Sequence, residues 1–170
     1  MKHSNNLHRL FILLTLGTCF NISQTFALPD DREQPINVSA DKAFKSEKLG
    51  TTIYEGNVLI TQGSIRVSGD KISIYDKAGT VTKMIAEGQP AKFKQKPDVQ
   101  SADVIANGST IEYDINAETL LLLGDALLKQ ESRTTNSNKI TYDMNTEVVN
   151  AGDNTGRVIM VLEPSPKTQK

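Results

Sequence analysis

The chain has 170 residues, a formal net charge of −1 and 23% charged side chains. That is room for one substantial domain, without the basic excess of a nucleic-acid binder. Its single cysteine, Cys19, and both histidines, His3 and His8, precede Phe20, and it has no tryptophan.

Residues 1–27 follow the order of a secretory leader: basic Lys2 and Arg9, an apolar run from Leu10 to Phe20, then a polar stretch ending Thr25-Phe26-Ala27. Cleavage is expected after Ala27. The rival readings are an uncleaved anchor and lipoprotein processing at Cys19. The first is weakened by Thr15, Gly17, Asn21 and Ser23, which leave the run short of the roughly 20 apolar residues a span needs. The second wants a Gly, Ala or Ser where Thr18 stands. Loss of the leader removes every cysteine and histidine, and with them disulfides, thiolate nucleophiles, imidazole acid/base chemistry and the usual zinc or copper ligands. Neither a metal nor a cofactor is expected. Residues 28–34 and 164–170, rich in Pro and charge, are expected as loose tails around one domain at 35–163.

Short alternating segments follow in chain order: Ile65-Arg66-Val67, Lys71-Ile72-Ser73-Ile74, Ile111-Glu112-Tyr113 and Lys139-Ile140-Thr141-Tyr142. These are strands. Turn chemistry falls at Gln62-Gly63-Ser64, Lys77-Ala78-Gly79, Glu87-Gly88-Gln89-Pro90, Lys96-Pro97-Asp98, Asn107-Gly108, Asn116-Ala117-Glu118, Asn145-Thr146-Glu147 and Asp153-Asn154-Thr155-Gly156. Convincing helical periodicity is missing, so the domain reads as all-β and antiparallel. It also repeats. A small or polar pair, expected just before a strand start, recurs at Ser39-Ala40, Ser68-Gly69, Asn107-Gly108 and Asn136-Ser137, and a glycine closes each unit at Gly56, Gly88, Gly124 and Gly152. Four hairpin-like repeats result.

Alternation puts Tyr54, Val58, Ile60 and Gln62 on one face of "YEGNVLITQG" and Leu122, Ala126, Leu128 and Gln130 on the matching face of "LLGDALLKQ". Val38, Ile72 with Ile74, Met84 with Ala86, and Ile111 with Tyr113 extend the apolar stripe. Two readings stay open: the packed centre of a sandwich, or a cavity for an apolar ligand. With no tryptophan and only five phenylalanines, eight or more strands closing on themselves leave volume to fill, the situation of lipid carriers. Leu120 to Leu123, all leucine, must also show apolar surface on at least one face.

Asp41, Asp70, Asp103, Asp114, Glu118 and Asp143 are the acids that a glycosidase-like site would need. Several recur beside turns, where Asp serves local hydrogen bonding, so no enzyme is expected. Lys92, Lys94 and Lys96 give one face of a strand positive charge that could meet phosphates, although such lysines more often sit in solvent. The outermost strands, Pro35 to Ser39 with Ile36 and Val38, and Val158 to Leu162 with Met160 between, would leave backbone unpaired and are expected as edges for β-augmentation.

Gln34-Pro35-Ile36-Asn37-Val38-Ser39-Ala40-Asp41, then Gly56-Asn57-Val58 through Thr61-Gln62-Gly63, Gly69-Asp70-Lys71-Ile72, Gly88-Gln89-Pro90-Ala91-Lys92-Phe93, Gly124-Asp125-Ala126 through Gln130, and Asn138-Lys139-Ile140-Thr141-Tyr142 together resemble the periplasmic lipopolysaccharide transport protein A family, the OstA-like domain. The ordered set covers residues 33–165. The resemblance implies a twisted, slightly open antiparallel β-jellyroll in the periplasm whose interior takes the acyl chains of lipopolysaccharide, its lipid A moiety. It implies head-to-tail self-association joining an inner-membrane anchored partner of similar fold to an outer-membrane translocon. Family lipid-contacting positions fall on Ile36, Phe93, Tyr113 and Ile115. A filament-forming scaffold without a lipid site, and the related inner-membrane partner, remain as alternatives.

Overall fold

The computed structural model describes residues 31–164, so the expected leader and nearly all of the expected C-terminal tail lie outside the described residues. Ten antiparallel strands make one sheet: β1 (Asn37–Ser39), β2 (Lys42–Ser46), β3 (Thr51–Gln62), β4 (Ile65–Lys77), β5 (Thr80–Gln95), β6 (Val104–Asp114), β7 (Thr119–Gln130), β8 (Arg133–Asp143), β9 (Val148–Ala151) and β10 (Ile159–Leu162). β3 to β8 form a meander. β1 and β2 share one edge on β3, and β9 and β10 share the other on β8.

Every long strand is interrupted at the same level. Pairing registers shift between Glu55 and Val58, Ser68 and Lys71, Glu87 and Ala91, Asn107 and Thr110, and Leu123 and Ala126. At the two edges the chain breaks at the corresponding point, between β1 and β2 and between β9 and β10. Such bulges bend a strand and sharpen its twist, and aligned across a sheet they make a crease. The small pairs and glycines read from the sequence as unit boundaries are this crease: they lie within β3 to β8 or at the breaks in the edges, not at strand starts. For the same reason Glu87-Gly88-Gln89-Pro90 and Asn107-Gly108 are not turns but bulges inside β5 and β6. In β3 the bulge is Gly56-Asn57 with φ of 77° and 46°, and in β7 it is Gly124-Asp125 with 69° and 48°. Gly and Asn or Asp are the residues that tolerate this left-handed region.

The crease folds the sheet onto itself. Tyr113 pairs with Met84 on β5, and a straight β5 at about 3.3 Å per residue would carry Phe93 about 30 Å away. Instead the Phe93 and Tyr113 rings meet edge to face with centroids 5.6 Å apart. Likewise Gln130, far along β7 from the Leu120 that pairs with Tyr142, donates its side-chain N–H to the Tyr142 hydroxyl at 3.2 Å. One half-sheet holds β1, β10 and the segments 58–62, 65–68, 91–95, 104–107, 126–130 and 133–137. The other holds β2, β9 and 51–55, 71–77, 80–87, 110–114, 119–123 and 139–143. Their inner faces enclose the core, and the shape is a twisted jellyroll open at both edges.

The loose tail expected over residues 28–34 does not extend through its described part. Asp31–Glu33 form a 3-10 turn. The Asp31 carboxylate accepts from the Ser64 hydroxyl at 2.7 Å and the Gln95 amide at 3.0 Å. Local polar pairing therefore anchors what composition suggested was free.

Candidate functional site

The inner faces supply the one large apolar environment the described residues build. Val58, Ile60, Ile72, Ile74, Met84, Phe93, Ile111, Tyr113, Leu122 and Leu128 are all buried in one cluster, as alternation placed them. In β3 and β7 the inward side chains keep one parity across the crease, Tyr54 with Val58 and Leu122 with Ala126, whereas in β4, β5, β6 and β8 the parity changes there, from Val67 to Ile72, Ala86 to Ala91, Ala106 to Ile111 and Ser137 to Ile140. Ile36, Val38, Tyr54 and Ile115 pack against the same cluster but are only partly buried. Ile65, Val67, Val104, Ala106 and Leu120 belong to it too and were not among the expected lining residues. Arg66 between Ile65 and Val67 was the available signal, an outward charge separating two inward apolar side chains.

The interior is closed at its centre. Ile60, Ile72, Leu120, Leu122 and Ile140 are 0% exposed and Phe93 1%, which leaves no water-sized void against them and corrects the expectation of unfilled volume. Open space lies at the two edges instead. At the β1 and β2 edge, a recess of about 320 Å³ has an apolar floor of Ile36, Val38, Tyr54, Ile74 and Val81 under Lys45, Glu47 and Asp76. At the β9 and β10 edge, one of about 220 Å³ is lined by Leu128, Val149 and Met160 with Gln130, Arg133, Thr135 and Glu147. Polar inner residues, Gln62 on one side and Thr135 and Ser137 on the other, are also buried. Burial pushes the Tyr142 hydroxyl above its ordinary value, a shift opposed by the Gln130 hydrogen bond.

Outside, the chemistry is that of a solvated sheet. Lys94 bridges to Asp103 at 2.7 Å and Lys71 to Glu87 at 3.0 Å, while Lys96 donates to the Ser101 carbonyl. The hydrogen bond from Lys94 holds Asp103 below the usual carboxylate range, and Glu87 raises Lys71. Asp114 and Asp143 accept turn N–H groups, from Ala117 and from Asn145 and Thr146. Asp41 accepts from the Asn57 side chain across the crease. These acids are thus engaged singly in turns, crease and surface pairs. Among the described residues no group of His, Cys, Asp and Glu is placed to hold a metal ion, and no helix is long and apolar enough to cross a membrane.

Among the described residues, no strand pairs with either edge on its outer side. Along β10, Ile159, Met160, Val161 and Leu162 are between 50% and 66% exposed, and Val158 before them 45%. Within the leucine run, Leu120 and Leu122 are buried while Leu123 is exposed on the outer face.

An antiparallel jellyroll with an apolar interior and one strongly apolar edge strand, β10, defines a class of small twisted-jellyroll β proteins. The chain belongs to the LptA/(LptD N-terminal domain) LPS transport protein family, whose model matches residues 37–148. It is 36% identical to the lipopolysaccharide export system protein LptH of Pseudomonas aeruginosa, over 99% of this chain and 100% of the relative. It is 35% identical to the lipopolysaccharide export system protein LptA of Haemophilus influenzae, over 86% of this chain and 87% of that one. The crystal structure of LptH, described as the LptA-homologous periplasmic component of the conserved lipopolysaccharide transport device of Pseudomonas aeruginosa, superposes with a TM-score of 0.75 at 35% identity, over 80% of this chain and 100% of that one.

Proposed function

We propose that this chain is a periplasmic carrier of lipopolysaccharide that shelters acyl chains between its half-sheets and stacks end to end. The stack would bridge an inner-membrane anchored jellyroll and an outer-membrane translocon. The observation that carries this reading is the continuous apolar inner face running from one open edge to the other, in a member of a lipopolysaccharide transport family. Each methylene kept from water is worth about 0.8 kcal/mol, so a multi-chain lipid faces a barrier of tens of kcal/mol in open aqueous space. An apolar trough with sites of similar affinity lowers that barrier without trapping the cargo. Because the centre is closed, an arriving chain has to part Phe93 from Tyr113 and take over their contacts. Adaptable residues such as Met84 suit that exchange.

The closed centre also favours one rival, a scaffold that assembles through its edges and holds no lipid. A photoreactive side chain at Phe93 or Tyr113, with outward Arg66 as control, separates the two in cells. Lipopolysaccharide joined to the inner positions and not to Arg66 supports the carrier. Labelling at Arg66 alone overturns the inward assignment, and labelling nowhere leaves the scaffold.

A further inference from the structure

Residues 31–34 tie together parts of the fold that the sheet itself does not connect. On the first half-sheet, Asp31 is held by the Ser64 hydroxyl and backbone N–H and by Gln95. Gln62, 7% exposed, donates its amide to the carbonyls of Arg32 at 3.3 Å and Gln34 at 3.1 Å. From this anchored turn the Arg32 guanidinium reaches Glu118 in the turn between β6 and β7, which belongs to the second half-sheet. The strand ends opposite the crease form a seam where the half-sheets meet without backbone pairing. Arg32 to Glu118 crosses that seam, as Gln130 to Tyr142 does further along it.

We propose that residues 31–34 are a strap that holds the seam shut, with Arg32 and Glu118 as its latch, and that release of the latch lets an apolar chain enter from the side. The two ends of the strap are unequal. Asp31 and Gln62 make several part-buried hydrogen bonds, whereas the latch side chains are 49% and 21% exposed. Exposed ion pairs are weak and screened by salt. The strap therefore stays on the first half-sheet while its latch opens and closes. Opening uncovers the route to Tyr113 and Phe93, which are 2% and 1% exposed in the closed form. The inference rests on the carrier reading for what enters; the latch itself does not.

The test compares wild-type protein with Arg32→Glu, Glu118→Arg and the double reversal. It uses hydrogen–deuterium exchange over residues 91–95 and 111–121 without lipid, and stopped-flow uptake of a pyrene-labelled fatty acid. Each single reversal should speed both exchange and uptake, by roughly two- to fivefold at low salt. The double variant should return both to wild type, and about 0.5 M salt should erase the differences. Unchanged exchange in the single variants overturns the latch. Faster exchange with unchanged uptake overturns side entry and leaves the carrier standing. Failure of wild-type protein to bind the fatty acid or lipopolysaccharide overturns the carrier and side entry together, while exchange still reports on the latch.

Discussion

At the scale of single residues, the fold depends on places where the backbone must come close or turn the wrong way. A Cβ on Gly69 would sit 2.6 Å from the Glu87 carbonyl oxygen, a backbone atom that cannot swing aside. Gly69→Ala should therefore cost about 1–3 kcal/mol through forced displacement at the crease. Gly156→Ala, whose nearest neighbour would be 4.0 Å away, should stay within about 0.5 kcal/mol. Urea unfolding of the two variants side by side checks the contrast, and equal losses would mean the crease tolerates a shift. In the core, Phe93 is 1% exposed and meets Tyr113 from the facing half-sheet. Phe93→Ala should lose about 3–5 kcal/mol, the range for emptying an aromatic site. If acyl chains occupy this place, added lipopolysaccharide should restore more stability to the variant than it gives the wild type, measured as a shift in melting temperature.

At the scale of elements, turns and strands carry their own electrostatics. Asp143 is held below the usual carboxylate range, first by the Thr146 backbone N–H, Asp153 by the Thr155 hydroxyl, and Asp98 by the Ser101 hydroxyl. A carboxyl with a lowered folded-state pKa stabilises the fold above its ordinary value near 4 and loses that contribution as pH falls through the folded value. Asp143→Asn should lower the melting temperature at pH 7, and the difference should shrink as pH falls from about 4 through the lowered folded-state value. A melting series across that interval measures it; a gap that persists in acid would assign the turn's stability to something other than the charge. Tyr142 behaves oppositely at the alkaline end. Its raised pKa means the fold favours the neutral phenol, so stability is complete below about pH 10 and declines above it. Period-two alternation made the strands and most of the inner face legible in the sequence, since Ile72, Ile74, Leu122 and Leu128 each sit two apart from a partner on one face. The crease was visible only as repetition. Gly56-Asn57 and Gly124-Asp125 look like strand boundaries because a bulge and a turn ask for the same residues. Closure of the centre was not legible, because it depends on how far the crease folds, and no residue pair close in sequence encodes the meeting of Phe93 with Tyr113. Nor was the anchoring of Asp31 to Ser64 and Gln95, whose composition is that of any polar tail.

At the scale of the molecule, the two edges differ in chemistry, and the proposed stacking would take its direction from that difference. β10 has Ile159, Met160, Val161 and Leu162 all half exposed or more, and no described strand pairs along its outer side. The opposite edge presents β1 and β2, where Lys42 and Lys45 flank an exposed Phe44. An edge this apolar and without a charge inside it is an aggregation hazard unless another strand covers it. Pairing unlike edges gives a heterologous contact, which does not close on itself and so grows with concentration. Under the proposed stacking, it would bring the recess of Ile36, Val38 and Tyr54 against that of Leu128, Val149 and Met160 and extend one apolar interior into the next. The full chain should therefore sediment as a concentration-dependent series of multimers. Met160→Lys with Leu162→Lys should weaken that association by about tenfold or more, since a lysine on an edge opposes further strand addition. The same pair should leave the melting temperature of dilute protein nearly unchanged, because both side chains are already exposed. Sedimentation velocity across a hundredfold concentration range decides between the outcomes. Unaltered multimers in the double variant would move the interface away from β10, and a single species at every concentration in the wild type would remove self-association from the mechanism.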